Sequence, residues 1–239
     1  MPMRHGEKSL MPIENLALEK LKLLEQQGYS NEIYLFEHSN KKYLLRKFKI
    51  DLDRKLEFQI QKKAFAKNIA AKPILLDEQK GLMVVEYLAG EHKTKLTQQE
   101  LKKMAQLLIE LHKIKTRKRQ NSFKEHFSFK HKKVKKAFTI LDKEPKEYAL
   151  GHNDLHARNI IFYKTTIKLI DWEYARYSDI YFDLVSIMIE YKLNTKDSNT
   201  FLRSYFGRKK INRKKLKAFT IIYKALWRLW FEKLAKGAL

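Results

Sequence analysis

Three residues interrupt the apolar run GHNDLHARNIIFYKTTIKLIDWEY, residues 151–174, with groups able to do chemistry: Asp154, Asn159 and Asp171. Two carboxylates and an amide on rigid supports suit phosphoryl transfer. One carboxylate orients and deprotonates a hydroxyl, while the other joins the amide carbonyl in holding magnesium on phosphates. If Asp154 and Asn159 only capped turns and Asp171 only ended a strand, nothing would require His152 before the loop, the LID ending, or this order of groups.

Such chemistry needs the three groups brought together. GHNDLHARNIIF reads as a loop entering a strand, YKTT as a turn and IKLIDWE as the returning strand, so both polar clusters emerge at one end of a hairpin. Upstream, EIYLFEH, KKYLLRKFKI, AAKPILLDEQ and GLMVVEYL are short β-branched and aromatic runs that predict a small antiparallel sheet. Between them, residues 53–67 carry Leu56, Ile60 and Ala64 at helical spacing. Residues 13–27, with Ile13, Leu16, Leu18, Leu21 and Leu24 before Gly28, predict a further short amphipathic helix. After Gly90 the pattern turns to long helices. Thr97 and Glu100 have the spacing of a capping box ahead of apolar positions 101, 104, 108 and 111. The stretches YFDLVSIMIEYKL, TFLRSYF and 211–237 are helical again. The expected fold class is α+β and two-lobed: a strand-rich N-terminal nucleotide-binding lobe with one helix (1–89), a larger, mainly helical lobe for catalysis and substrate (90–239), and a cleft between them.

Composition bounds the possibilities. The 239 residues are 44% hydrophobic and 12% aromatic, enough for a sizeable core. With no cysteine, disulfides and thiolate metal sites are excluded, which fits a cytoplasmic home. No window has the apolar length of a membrane span, and MPMRHGEKSL is too polar for a signal peptide. Fifty-one Lys and Arg against 27 Asp and Glu leave a formal charge of +24, which raises nucleic acid, anionic lipid or a phosphorylated ligand as partners. The lysines are nevertheless scattered along almost every segment. The one dense run, residues 115–138, interleaves aromatics with cations as single-strand binders do and equally reads as a basic connector.

The spacing D-x-x-x-x-N followed by an Asp one hairpin later is that of a kinase catalytic loop and its metal-binding Asp. HNDLHARNIIF followed by LIDWEYARYSDIYFDL resembles the choline and ethanolamine kinase branch of the aminoglycoside phosphotransferase-like kinases, of the bacterial choline kinase type. The resemblance implies a protein-kinase-like fold and an ATP-dependent small-molecule kinase. Asp154 is then the catalytic base, and Asn159 and Asp171 hold Mg2+. Phe182–Asp183 also matches and looks structural, supporting the catalytic loop. In the front lobe, Ser30, Asn31 and Arg46 match positions near the nucleotide phosphates. A strand-borne cation there neutralises phosphate charge, with Glu57 as the natural partner for Arg46. VVEYLAGE reads as the hinge, whose backbone at Glu86, Tyr87 and Leu88 would bond adenine. The chain departs from the family in having a single glycine in QGYSNEIYLF, and in Ala157 and Arg158 of the catalytic loop.

The C-terminal helix speaks to the acceptor. Trp227 and Trp230 share a helical face that continues an apolar ladder through Leu216, Phe219, Tyr223 and Leu226, a pattern more often found in a core. With Tyr174 and Glu190 they would instead form an aromatic cage with one carboxylate, suited to a quaternary ammonium. The resemblance agrees, since Tyr174, Glu190 and the W-x-x-W pair match choline-site positions, and Asp154 and Glu173 complete the expected acceptor set. The resulting expectation is a choline kinase producing phosphocholine. Ethanolamine, thiamine or aminoglycoside kinases on the same fold are the alternatives. A basic nucleic-acid-binding protein without kinase activity is the reading from a different class; the intact Asp154, Asn159 and Asp171 argue against it, and no nucleic-acid partner is expected.

Overall fold

The computed structural model describes residues 21–25, 28–116, 123–127 and 131–235. The chain forms two compact units. One holds the described residues up to Asp51 together with Ile74–Tyr87, and the other holds Leu52–Pro73 and the described residues from Leu88 onward. The helix expected in the N-terminal lobe therefore belongs with the second unit.

The first unit is a five-stranded sheet in the order β1 (Lys22–Leu23), β2 (Asn31–His38), β3 (Lys41–Phe48), β5 (Leu82–Glu86), β4 (Pro73–Asp77). Ser39 and Asn40, both at positive φ, make the tight turn between β2 and β3 whose twist suits antiparallel strands. Phe36, Leu45, Leu82 and Val84 form the core of this sheet. The amphipathic helix expected over residues 13–27 does not hold at its described end. Lys22–Leu23 pair antiparallel with Tyr34 and Leu35, and Leu24 N–H donates to the Ile33 carbonyl at 3.0 Å. Backbone pairing with the neighbouring strand overrides local helical periodicity there. Residues 13–20, 26 and 27 of that expected helix lie outside the described residues.

In the second unit, α1 (Arg54–Ala66) starts where Asp53 caps the Leu56 N–H at 3.0 Å, and it buries Leu56, Ile60 and Ala64. α2 (Gln98–His112) opens with the expected capping box, Thr97 and Glu100 bonding each other's backbone N–H. The C-terminal end of the basic run, from Lys132 to Phe138, is helical. It opens α3 (Lys132–Lys143), which buries Val134, Ala137 and Leu141 and packs on α6 (Arg213–Ala235). Positions 117–122 and 128–130 of the run lie outside the described residues.

Two small antiparallel sheets carry the centre of this unit: β6 (Tyr148–Gly151) with β9 (Arg176–Asp179), and the hairpin β7 (Ile160–Tyr163) with β8 (Thr166–Leu169). α4 (Tyr181–Glu190) and α5 (Thr195–Phe206) complete it. Lys215, 1% exposed, reaches from α6 to Asp179 at 2.7 Å and Glu147 at 3.0 Å. Complete pairing lets that buried ammonium tie α6 to the β6–β9 sheet.

Candidate active site

The loop from Gly151 to Asn159 is held from below by Asp183 on α4. Its carboxylate accepts the backbone N–H of His152 at 2.8 Å and of Asn153 at 2.9 Å, and lies 3.2 Å from His112 Nε2. Burial alone would raise its pKa, yet the bond and charge from His112 and the backbone N–H groups hold it below the usual Asp range. Asn153 takes a left-handed conformation, φ 65°. Gly151 must lack a side chain, because an added Cβ would sit 2.9 Å from Asn153 Oδ1 and 3.3 Å from Asp183 Oδ2. His152 is fully buried against Trp172, its Nε2 lying 3.0 Å from the Ile170 carbonyl, and burial lowers its pKa to about 4. It therefore acts as a neutral N–H donor joining the two arms of the site.

The register of β7 and β8 sets Asn159 beside the end of the hairpin where Asp171 emerges. Ile160 pairs with Leu169, and Ile170 N–H donates to the Asn159 carbonyl at 3.0 Å. Asp171 lies at φ 63°, a strained conformation for a non-glycine residue and one that clusters at functional sites. Asn159 Nδ2 donates to both the backbone carbonyl (2.9 Å) and Oδ2 (2.8 Å) of Asp154. The Asp154 side chain stays 29% exposed while its pKa rises to about 7. Burial is the main cause, followed by the Glu173 charge; the Asn159 hydrogen bond opposes both. A carboxylate that is reachable and poised near neutrality is suited to general-base work.

The residues expected around the acceptor do not all come together. His156 Nδ1 accepts from Arg158 N–H at 3.2 Å, which leaves Nε2 to carry the proton, 3.7 Å from Asp154 Oδ2. The His156 ring meets the Trp227 edge at 6.2 Å, Trp227 meets Tyr223 at 6.3 Å, and the Tyr223 hydroxyl donates to Glu190 Oε1 at 2.9 Å. Asp154, Trp227 and Glu190 thus come together through two residues outside the expected site set. Tyr223 was legible only as a rung of the apolar ladder. His156 lies inside the motif itself, two residues after Asp154, and no spacing marked it. Tyr174 is 42% exposed, and its carbonyl accepts from Asn153 Nδ2 at 3.1 Å. Trp230 lies one turn beyond Trp227, 37% exposed and edge-on to it at 5.8 Å.

Glu173, expected in the acceptor set, is instead 4% exposed and accepts from Arg54 Nη1 at 2.9 Å, the same nitrogen that serves Glu57 at 2.8 Å. A carboxylate so enclosed acts on Asp154 through its charge. In the first unit, Ser30, Asn31 and Arg46 are all buried. With its amide oriented to satisfy both neighbours, Asn31 accepts from Arg46 Nη2 at 2.9 Å and donates to the Ser30 carbonyl at 3.1 Å. At the end of β5, Tyr87 N–H is used by the Lys42 carbonyl at 3.0 Å. Glu86 sits opposite Tyr43 at the alternate register position, where backbone groups turn away from β3.

A groove of about 320 Å³ lies at the turn end of the β7–β8 hairpin, opposite to Asn159 and Asp171. Lys93 there is bound to Glu100 at 2.8 Å and Lys103 to the Thr165 carbonyl at 3.1 Å, and none of the residues expected to act in catalysis lines it.

The chain belongs to the phosphotransferase enzyme family, whose model matches residues 22–219. A protein described as a LicA homolog, from Metamycoplasma hominis, is 28% identical over 202 residues, spanning 77% of this chain and 78% of its own. Thiamine kinase from Escherichia coli is 28% identical over 200 residues, spanning 77% and 70%. The fold is that of choline kinase LicA from Streptococcus pneumoniae: TM-score 0.76 at 21% identity, over 92% of this chain and 86% of that one. A structure of LicA in complex with AMP matches with a TM-score of 0.73, also at 21% identity, over 92% and 85%.

Proposed function

We propose that this protein transfers the γ-phosphoryl group of ATP to the hydroxyl of a small cationic alcohol, with choline as the principal acceptor. The observation that carries this reading is the chain of contacts from Asp154 through His156, Trp227 and Tyr223 to Glu190. Aromatic faces attract a quaternary ammonium, which has no N–H to donate, and Glu190 supplies the counter-charge. Trp230 and Tyr174 would extend the same wall. Asp154 would accept the hydroxyl proton as the oxygen attacks phosphorus.

The residues fit a magnesium ion. Asn159 commits its amide nitrogen to Asp154, so its carbonyl oxygen is the atom offered to a cation, and Asp171 adds a hard carboxylate. With two protein ligands, the ion would take its other ligands from phosphates and water. When bound, magnesium would neutralise charge on the transferring phosphates. Ser30, Asn31 and Arg46 would hold the phosphates, and the backbone of Glu86 to Leu88 the adenine. The AMP complex of a protein of like fold supports nucleotide use.

Thiamine is the second reading, favoured by the thiamine kinase relative at the same 28% identity as the LicA homolog. Its thiazolium is also a cation without an N–H and carries a primary alcohol. Magnesium-dependent ATP consumption measured with choline, ethanolamine, thiamine and an aminoglycoside decides between them. Highest kcat/KM with choline is expected; preference for any other acceptor overturns the choline assignment.

A further inference from the structure

Past Tyr223, α6 carries its apolar face beyond the part of the second unit that covers it. Trp230 is 37% exposed, Phe231 54% and Leu234 43%. A second stripe runs along its outer side: Lys217, Ile221, Lys224, Arg228 and Phe231 recur every three or four residues, so they lie one above another, and all five are exposed. Glu232 is the one acid in α6, against exposed Arg213, Lys214, Lys217, Lys224, Arg228 and Lys233. The neighbouring α3 repeats the bias. Its single acid, Asp142, is already paired with Lys124 at 3.0 Å, and five of its lysines face solvent.

Cations alone would suit any polyanion, so the apolar residues decide the partner. Ile221 and Leu234 have no ring to stack on a base and no hydrogen bond to offer a phosphate. Beside Phe231 they match a helix lying in a bilayer interface. There, apolar side chains enter the headgroup boundary and Lys and Arg stems extend to the phosphates. No described helix is long and apolar enough to cross a membrane, so the association would be peripheral. We propose that the exposed outer face of α6 from Lys217 to Leu234 is a docking face for an anionic lipid surface, with Ile221, Phe231 and Leu234 entering the headgroup boundary and Lys217, Lys224 and Arg228 meeting the lipid phosphates.

The test is co-sedimentation of the full chain with phosphatidylcholine vesicles and with the same vesicles containing added phosphatidylglycerol. Binding is expected only with the anionic lipid and should weaken as salt rises. Each of Lys217→Gln, Lys224→Gln and Arg228→Gln should lower partitioning about fivefold, from about 1 kcal/mol per cation at 1.4 kcal/mol per tenfold. Ile221→Ser combined with Leu234→Ser, which leaves the charge unchanged, should lower it at least as much. Both positions are exposed, and an unaltered thermal melt checks the fold. Equal binding to both vesicle types, or none to either, overturns the proposal. So does binding that ignores the Ile221→Ser and Leu234→Ser pair and is displaced by duplex DNA, which would mark a charge-only face.

Discussion

Asn159 donates its side-chain amide to Asp154 Oδ2 at 2.8 Å, so the residue proposed to present a carbonyl to magnesium also stabilises the charged form of the proposed base. Burial and the Glu173 charge raise the Asp154 pKa to about 7, and this bond opposes them. Asn159→Ala should therefore raise it further, which a carboxyl-carbon NMR titration of the ligand-free protein reads directly. In the wild type, kcat/KM should fall about tenfold per pH unit below the Asp154 pKa and level off above it, because the base must be unprotonated. Asp154→Asn should cost roughly 10²- to 10⁴-fold in turnover while retaining ATP binding, and Asp171→Ala at least as much. A pH-independent rate, or near-wild-type turnover by Asp154→Asn, would remove Asp154 from the role of base.

The support under the loop should show in stability. Asp183→Ala strips the acceptor from two backbone N–H groups and from His112, and each buried group left unpaired costs about 1–3 kcal/mol. A loss of about 3 kcal/mol or more is expected in urea unfolding, with turnover falling alongside. Gly151→Ala should also destabilise, through collision with Ser178 and Asn153. Unfolding curves that overlay the wild type would contradict the support role.

His152 gives acid sensitivity with a defined window. Its pKa is about 4 in the folded chain, against 6.5 for an ordinary His, so the unfolded chain takes up the proton first. Stability is full above about pH 6.5 and falls by about 3 kcal/mol as the pH drops to about 4. Asp154 titrates in the opposite sense over part of this range, since its raised pKa makes the folded state bind protons more readily. The measurement therefore belongs in the Asp154→Asn background, where urea unfolding should weaken between pH 6.5 and 4. Adding His152→Gln should flatten that slope; an unchanged slope would assign the acid sensitivity elsewhere.

Acceptor choice should follow Trp227, Tyr223 and Glu190. A desolvated cation–π contact is worth about 2 kcal/mol, close to 30-fold, so Trp227→Ala should raise KM for choline far more than KM for ATP. Glu190→Gln should do likewise. Tyr223→Phe keeps the ring but removes the hydrogen bond that holds the Glu190 carboxylate in position, and a smaller rise in choline KM is expected. Ratios of kcat/KM for choline against ethanolamine in these variants provide the check. Trp227→Ala that loses stability but keeps wild-type choline kinetics would return Trp227 to the core.

What the amino-acid order determined by itself was local. The Thr97–Glu100 capping box, the Leu56–Ile60–Ala64 face of α1 and the hairpin that sets Asn159 near Asp171 each depend on residues a few positions apart, whose geometry φ, ψ and side-chain period already dictate. Tertiary structure decided the rest. Lys22 and Leu23 left their helical pattern because β2 offered them backbone partners, and Lys132–Lys143 became a helix because α6 gave its apolar face a surface to cover. Glu173 was drawn to Arg54, 119 residues away, and Tyr223 met Glu190 across 33. Periodicity records which face of a helix is apolar, but not whether a hydroxyl at its edge will find a carboxylate. That depends on where two helices cross, and the crossing is set by the packing of the whole unit.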